Sequence, residues 1–138
     1  MRIPTRFNVR VYGILIYKNN LLINEELISG KKILKFPGGG LELGEGIIDC
    51  LKREWKEELN LSIIKTEHFY TTDFFQPSAF DDSQVISIYY KIGVAEIPDM
   101  IVNNEPNERA SWKPLAKISE HDFTLPIDKI VAKMLAGA

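Results

Sequence analysis

The sequence predicts an α+β fold, and three observations predict it. Runs rich in β-branched and aromatic residues recur between turn signals. Gly46 to Leu59 carries its apolar residues at helical rather than alternating spacing. Pro126 to Leu135 reads as a closing helix, with Leu125-Pro126 as its start signal.

The elements follow in order. Phe7 to Tyr17 reads as a strand, Asn19-Asn20 as a turn, and Leu21 to Asn24 as the returning strand of a hairpin. Ser29 to Lys32 reads as a polar loop. Ile33 to Phe36 is a short apolar run, stopped by Pro37-Gly38-Gly39-Gly40, which reads as a sharp turn. After the central helix, Ile63 to Phe75 reads as one bent strand, Gln76 to Ser83 as a loop, and Val85 to Glu96 as the clearest strand. Pro98 to Arg109, polar and rich in Asn and Glu, reads as an exposed loop, and Ser111 to Lys113 as a short strand.

The 138 residues suit one domain, 1–138, and a hydrophobic share of 45% is enough to fill its core. A net charge of −2 leaves no electrostatic footprint for nucleic acid. Cys50 is the only cysteine, so no disulfide forms within the chain, which suits a reducing interior. No apolar segment follows the basic start Met1 to Arg6 as in a signal peptide. No apolar run approaches the ~20 residues of a membrane span. These features point to a cytoplasmic protein with no membrane partner.

Spacing assigns faces to the central helix, which turns roughly 100° per residue. Ile48, Leu51, Trp55 and Leu59 form a packing stripe, and Asp49, Lys52 and Lys56 face water. Arg53, Glu54, Glu57 and Glu58 form a third stripe, with Cys50 among them. Solvated glutamates are common on helices, and an Arg53–Glu57 pair contributes only about 0.2–0.5 kcal/mol. Here, however, three glutamates gather toward the helix C-terminus, where the macrodipole disfavours negative charge. A hard divalent cation would compensate them, and a phosphate chain is the natural partner of such a cation. The glycines upstream would let backbone groups approach the metal or the phosphate.

These residues resemble the Nudix box of the Nudix hydrolases, the family that includes the MutT-type nucleotide pyrophosphatases. Gly39 is followed by five residues and Glu45, and seven more lead to Arg53-Glu54. Trp55 fills the apolar position and Lys56 the free one, before Glu57-Glu58-Leu59-Asn60-Leu61. Asn60 replaces the family's glycine at a helix cap, where Asn is the next most tolerant residue. The box covers about a sixth of the chain, and its strict spacing is specific.

The resemblance implies an α/β/α sandwich around a mixed sheet. It also implies hydrolysis, with Mg²⁺ or Mn²⁺, of a pyrophosphate bond in a nucleoside di- or triphosphate or a nucleoside diphosphate linked to another group. By the same resemblance Glu54, Glu57, Glu58 and the backbone of Gly38 hold the metal. Arg53 orients a glutamate, and Glu45 supports the helix start. Glu54 is the first choice for general base, Glu105 the second, and Glu108 lies in the same loop. Family members are often dimers, so a homodimer is possible. Arg10, Lys35 and Gly39 are candidate phosphate contacts, and Phe75, with Phe74 and Phe80, a candidate for base stacking, although burial in the core is the commoner fate of aromatics. Cys50 reads as a small buried thiol. The alternative function is a Nudix-fold module that binds a nucleotide without cleaving it. Such modules usually lose box glutamates, and this chain keeps them. An isoprenoid diphosphate isomerase, which shares the fold, uses a cysteine in a motif that Cys50 lacks.

Overall fold

The computed structural model describes residues 3–137; Met1 and Arg2, the first residues of the basic start, and Ala138 lie outside the described residues. The strands are β1 (Arg6–Ile14), β2 (Ile16–Tyr17), β3 (Asn20–Ile28), β4 (Lys31–Lys35), β5 (Gly38–Gly40), β6 (Ile63–Thr71), β7 (Ser83–Val94) and β8 (Glu108–Pro114). The helices are α1 (Ile47–Leu59) and α2 (Pro126–Ala136).

Several sequence readings need correction. The first strand ends at Ile14 because the chain there leaves one sheet for another: β1 pairs with β5 and β7, whereas β2 pairs with β3. Lys18 and Asn19, not Asn19 and Asn20, take the positive φ values of the tight hairpin turn, and Ser29-Gly30 do the same between β3 and β4. The polar loop is therefore only a two-residue turn. Gly38 to Gly40 form a strand rather than a turn, antiparallel to Arg10–Tyr12. β5 can lie there because a Cβ on Gly38 would sit 2.1 Å from the Val11 carbonyl oxygen. β6 stops at Thr71, so Phe74 and Phe75 fall outside it.

The strands form two four-stranded sheets rather than one. The first has the order β5-β1-β7-β6 and is mixed, with β1 and β7 parallel. In the second, β3 pairs antiparallel with β2, β4 and β8. Successive side chains on a strand point to opposite faces. Val11, Leu15 and Leu22 thus pack with Leu51, Trp55 and Leu59 of α1. Tyr12, Ile14 and Ile23 pack on the other side with Val131, Ala132 and Leu135 of α2. The two helices cover opposite faces of the sheets, as the α/β/α sandwich requires. Among the described residues no helix is long and apolar enough to cross a membrane.

Trp55 ties α1 to the sheet. It is fully buried, and its indole Nε1 donates to the Pro37 carbonyl at 3.1 Å. Gly13 leaves room for the ring: a Cβ there would come within 2.6 Å of it. Gly13→Ala is expected to cost about 1–3 kcal/mol through overpacking. Urea unfolding checks this, and an unchanged midpoint would show that the ring has room to move.

Candidate active site

The acidic stripe of α1 is held at both ends. Asn60 closes the helix in the left-handed conformation (φ 58°, ψ 30°); its backbone N–H donates to the Lys56 carbonyl, and that of Leu61 to the Trp55 carbonyl. Asn60 and Asn104 then exchange side-chain amide bonds at 3.1 and 3.0 Å. The Asn104 backbone N–H donates to the Glu58 carbonyl at 2.8 Å, and its side chain donates to the Glu57 carbonyl. The loop before β8 is thereby fastened to the last carbonyls of α1, which places Glu105 and Glu108 beside the stripe.

Arg53 organises the stripe from behind. Its Nε and Nη2 grip the two oxygens of Glu45 at 2.9 and 2.7 Å, a bidentate pair. Nη1 donates to Glu54 at 2.9 Å, and Nη2 to the Gly40 carbonyl at 3.2 Å. The bond from Arg53 holds the Glu45 carboxyl down to about 2, and the same bond pushes the Arg53 pKa further up. Glu54 is pressed against β5: a Cβ on Gly39 would lie 2.3 Å from its carboxyl carbon.

In front of Arg53 lies a cleft of about 250 Å³, lined by Gly38 to Gly40, by Arg10 and Lys35, and by the acids Glu26, Glu54, Glu58, Glu105 and Glu108. Five carboxylates thus face two cationic side chains. Lys35 is 7% exposed, and its Nζ pairs with Glu26 at 2.5 Å and with Glu108 at 3.3 Å. Burial works against its charge, but these two acids outweigh burial and raise its pKa. Asn24 Nδ2 adds a 3.3 Å bond to Glu108 Oε1. Glu58 has no such help. Its Oε2 is buried without a partner, as is Glu108 Oε2. Burial, then the charges of Glu108 and Glu54, push the Glu58 carboxyl well up.

These orphaned oxygens are what a bound divalent cation would satisfy. Among the described residues, no three His, Cys, Asp or Glu side chains converge closely enough to hold an ion between them. A fit to Mg²⁺ does not require them to, since that ion keeps several waters and uses one or two carboxylates plus substrate phosphates.

A model of the NUDIX domain family matches residues 7–134. The chain belongs to the Nudix family. The matched residues include the segment from Gly39 to Leu61 that resembles the family's box, and hydrolysis of pyrophosphate bonds is the family's general chemistry. Solved structures share the fold. A chain from a structure and function analysis of MutT from Aliivibrio salmonicida and Vibrio cholerae superposes with a TM-score of 0.75 at 20% identity, covering 96% of this chain and 98% of that one. The MutT protein of Methanosarcina mazei gives 0.76 at 18% identity, with 98% and 95% covered. A NUDIX hydrolase from Nitrosomonas europaea gives 0.71 at 23%, with 91% and 85% covered.

The structure sorts the Nudix-box acids. Glu54 and Glu58 line the cleft, whereas Glu57 is 60% exposed, pairs with Arg53 at 3.3 Å and does not line it. Glu105 lines the rim from its exposed loop. Glu108 is not a solvated loop charge: its side chain is 3% exposed at the start of β8. Arg10 reaches the cleft with its Nε bonded to the Tyr12 hydroxyl at 2.7 Å. Cys50 is fully buried, and burial followed by Glu45 pushes its thiol up to about 12, which suits packing rather than nucleophilic attack. Phe74, Phe75 and Phe80 are exposed rather than core residues. Sequence reasoning missed Glu26 because it ends the returning strand at Asn24, whereas β3 runs on to Ile28 and carries Glu26 opposite Glu108. It also missed Asn104, for which no sequence signal exists.

A second cavity of about 260 Å³ opens beside the cleft and shares Arg10, Glu26 and Lys35 with it. Asp128 of α2 and Tyr89 of β7 line it, with the Tyr89 hydroxyl donating to Asp128 Oδ1 at 2.5 Å. Burial pushes the Asp128 carboxyl up to about 7, against the pull of the Tyr89 bond. Asp128 ordinarily titrates near 3.8, so the folded chain holds this proton more tightly than the unfolded chain does. Its contribution therefore makes stability fall as pH rises from about 4 to about 7, and level off above. Asn does not titrate. Asp128→Asn is expected to gain stability relative to wild type between pH 4 and pH 8, read as the difference between the two Tm values. A difference that stays constant with pH would place the carboxyl in an ordinary environment.

Proposed function

We propose that this chain, acting as a single cytoplasmic domain, is a Mg²⁺-dependent Nudix pyrophosphohydrolase, with Mn²⁺ able to replace Mg²⁺, that acts on a nucleoside di- or triphosphate or a nucleoside diphosphate linked to another group. The observation that carries this reading is the orphaned, buried Glu58 Oε2 in a cleft with more acid than base. A buried polar atom without a partner is costly, and a bound ion or ligand would complete it.

Glu58 and Glu54 would hold the cation, with the Gly38 backbone at the cleft wall. Glu57, outside the lining, serves through Arg53 instead. The cation when bound would neutralise the diphosphate and acidify a water. Arg10 would bind a phosphate oxygen from the far wall. Lys35, already bound to two carboxylates, would set the positions of Glu26 and Glu108 rather than meet the phosphate alone. Glu54 would take the proton of the attacking water: Arg53 fixes its Oε1, and Gly39 lets its carboxylate lie against the strand. Glu105 faces it from the rim.

Glu58→Gln should lower turnover by about 10²-fold or more. The same change removes a crowded carboxyl that resists ionisation, so Tm without metal should not fall, and the rise in Tm that Mg²⁺ gives the wild type should disappear. Retained turnover in Glu58→Gln would end this assignment. Glu54→Gln should cost about 10²–10⁴-fold in kcat and Glu105→Gln less than about tenfold. The opposite ranking would move the general base to Glu105.

A further inference from the structure

Asn24 is a polar residue where packing alone would ask for an apolar one. It follows Leu22 by two residues on β3, so it shares the strand face that packs with α1, and it is fully buried. A buried amide is costly unless its N–H and C=O groups are bonded. Here they are, and the bonds run in one direction. The Ala110 backbone N–H, which can only donate, donates to Asn103 Oδ1 at 2.6 Å. That settles which end of the Asn103 amide is which, and its Nδ2 donates to Asn24 Oδ1 at 3.2 Å. Asn24 is oriented in turn, and its Nδ2 donates to Glu108 Oε1 at 3.3 Å. The relay starts on the backbone of β8, passes through the loop before it to β3, and returns to a carboxylate of β8.

The relay decides which oxygen of Glu108 is left over. Oε1 accepts from Asn24 and pairs with Lys35, each at 3.3 Å, and Lys35 is shared with Glu26. Oε2 is buried without a partner, and Glu108 lines the cleft. Glu58 Oε2 is in the same condition, so the two partnerless oxygens stand on different walls, one on α1 and one on β8. The loop that starts the relay also ties these walls together. Asn103 bonds to β3 and β8, and the next residue, Asn104, bonds to the Glu57 and Glu58 carbonyls and to the Asn60 amide. We propose that Asn24 is a positioning residue of the cation site, acting through Glu108 to turn its free oxygen into the cleft, so that a divalent cation and its waters are held between Glu108 and Glu58. Asn24 itself does not line the cleft. Leucine would fill the same space but would leave Glu108 free to turn and Asn103 without its acceptor. Groups that orient a metal-binding carboxylate govern metal affinity by about 10–100-fold. The proposal rests on the reading of the cleft as a divalent-cation site.

Isothermal titration with Mn²⁺ alone, with no nucleotide and no turnover, tests it. Asn24→Leu should weaken Mn²⁺ binding about tenfold or more, and Glu108→Gln by at least as much. The double variant should match Glu108→Gln to within about twofold, because a residue that acts through another adds nothing once that other is gone. A role in packing alone would lower Tm and leave the Mn²⁺ affinity of the folded protein where it was. Unchanged affinity in folded Asn24→Leu, or losses that multiply in the double variant, would overturn the proposal and leave the hydrolase reading standing. A wild-type protein that binds no Mn²⁺ would overturn both. Should Asn24→Leu not fold, Asn103→Ala decides. It frees the Asn24 amide to turn over, so binding about threefold or more weaker is expected, and no loss would overturn the proposal.

Discussion

The site depends on the ion cluster around Arg53. One guanidinium binds both oxygens of Glu45, one oxygen of Glu54 and the Gly40 carbonyl. It thereby joins the loop before α1, the helix and β5. Because the guanidinium stays charged at any working pH, it is a fixed organiser behind the acidic stripe. It neutralises Glu45 and orients Glu54 but does not reach Glu58. Acid is therefore concentrated around Glu58, whose carboxyl is held protonated more tightly than usual by burial and by Glu108 and Glu54.

Backbone packing makes this possible. The glycines of β5 let the strand lie against β1, and the missing side chain of Gly39 gives the Glu54 carboxyl its seat. Trp55, buried on the opposite stripe of the same helix, fixes the distance between helix and sheet. The Asn60–Asn104 amide pair then brings a distant loop to the helix end. Asn60 is where this chain departs from the family glycine. It keeps the left-handed cap and adds a side chain that glycine could not supply.

Much of this was legible in the sequence because it is local. Helical spacing gave Leu51, Trp55 and Leu59 as packing residues of α1 and its end at Leu59, although Ile47 and Cys50 rather than Ile48 complete that packing, and the separations from Gly39 to Glu58 carried the family resemblance. What escaped depends on strand register. Glu26, Lys35 and Glu108 meet because β3 pairs with β4 on one side and β8 on the other. No local pattern places Glu108 on a strand when the segment before it is polar. Phe74, Phe75 and Phe80, base-stacking candidates for which core burial was the commoner expectation, are exposed: Phe74 and Phe75 follow the end of β6 at Thr71, and Phe80 lies in the loop before β7. Asp128 carried a signal that passed unread: Val131, Ala132 and Leu135 follow it at three, four and seven residues, which puts an acid on the buried stripe of α2.

The central claim is that the partnerless carboxyl of Glu58 is a cation's place. Anomalous diffraction from crystals grown with Mn²⁺ addresses it most directly. The account predicts a peak at about 2–2.2 Å from a Glu58 carboxylate oxygen, within reach of Glu54 and the Gly38 backbone. A fully occupied Mn²⁺ bound elsewhere, with Glu58 Oε2 still lacking a partner, would contradict it.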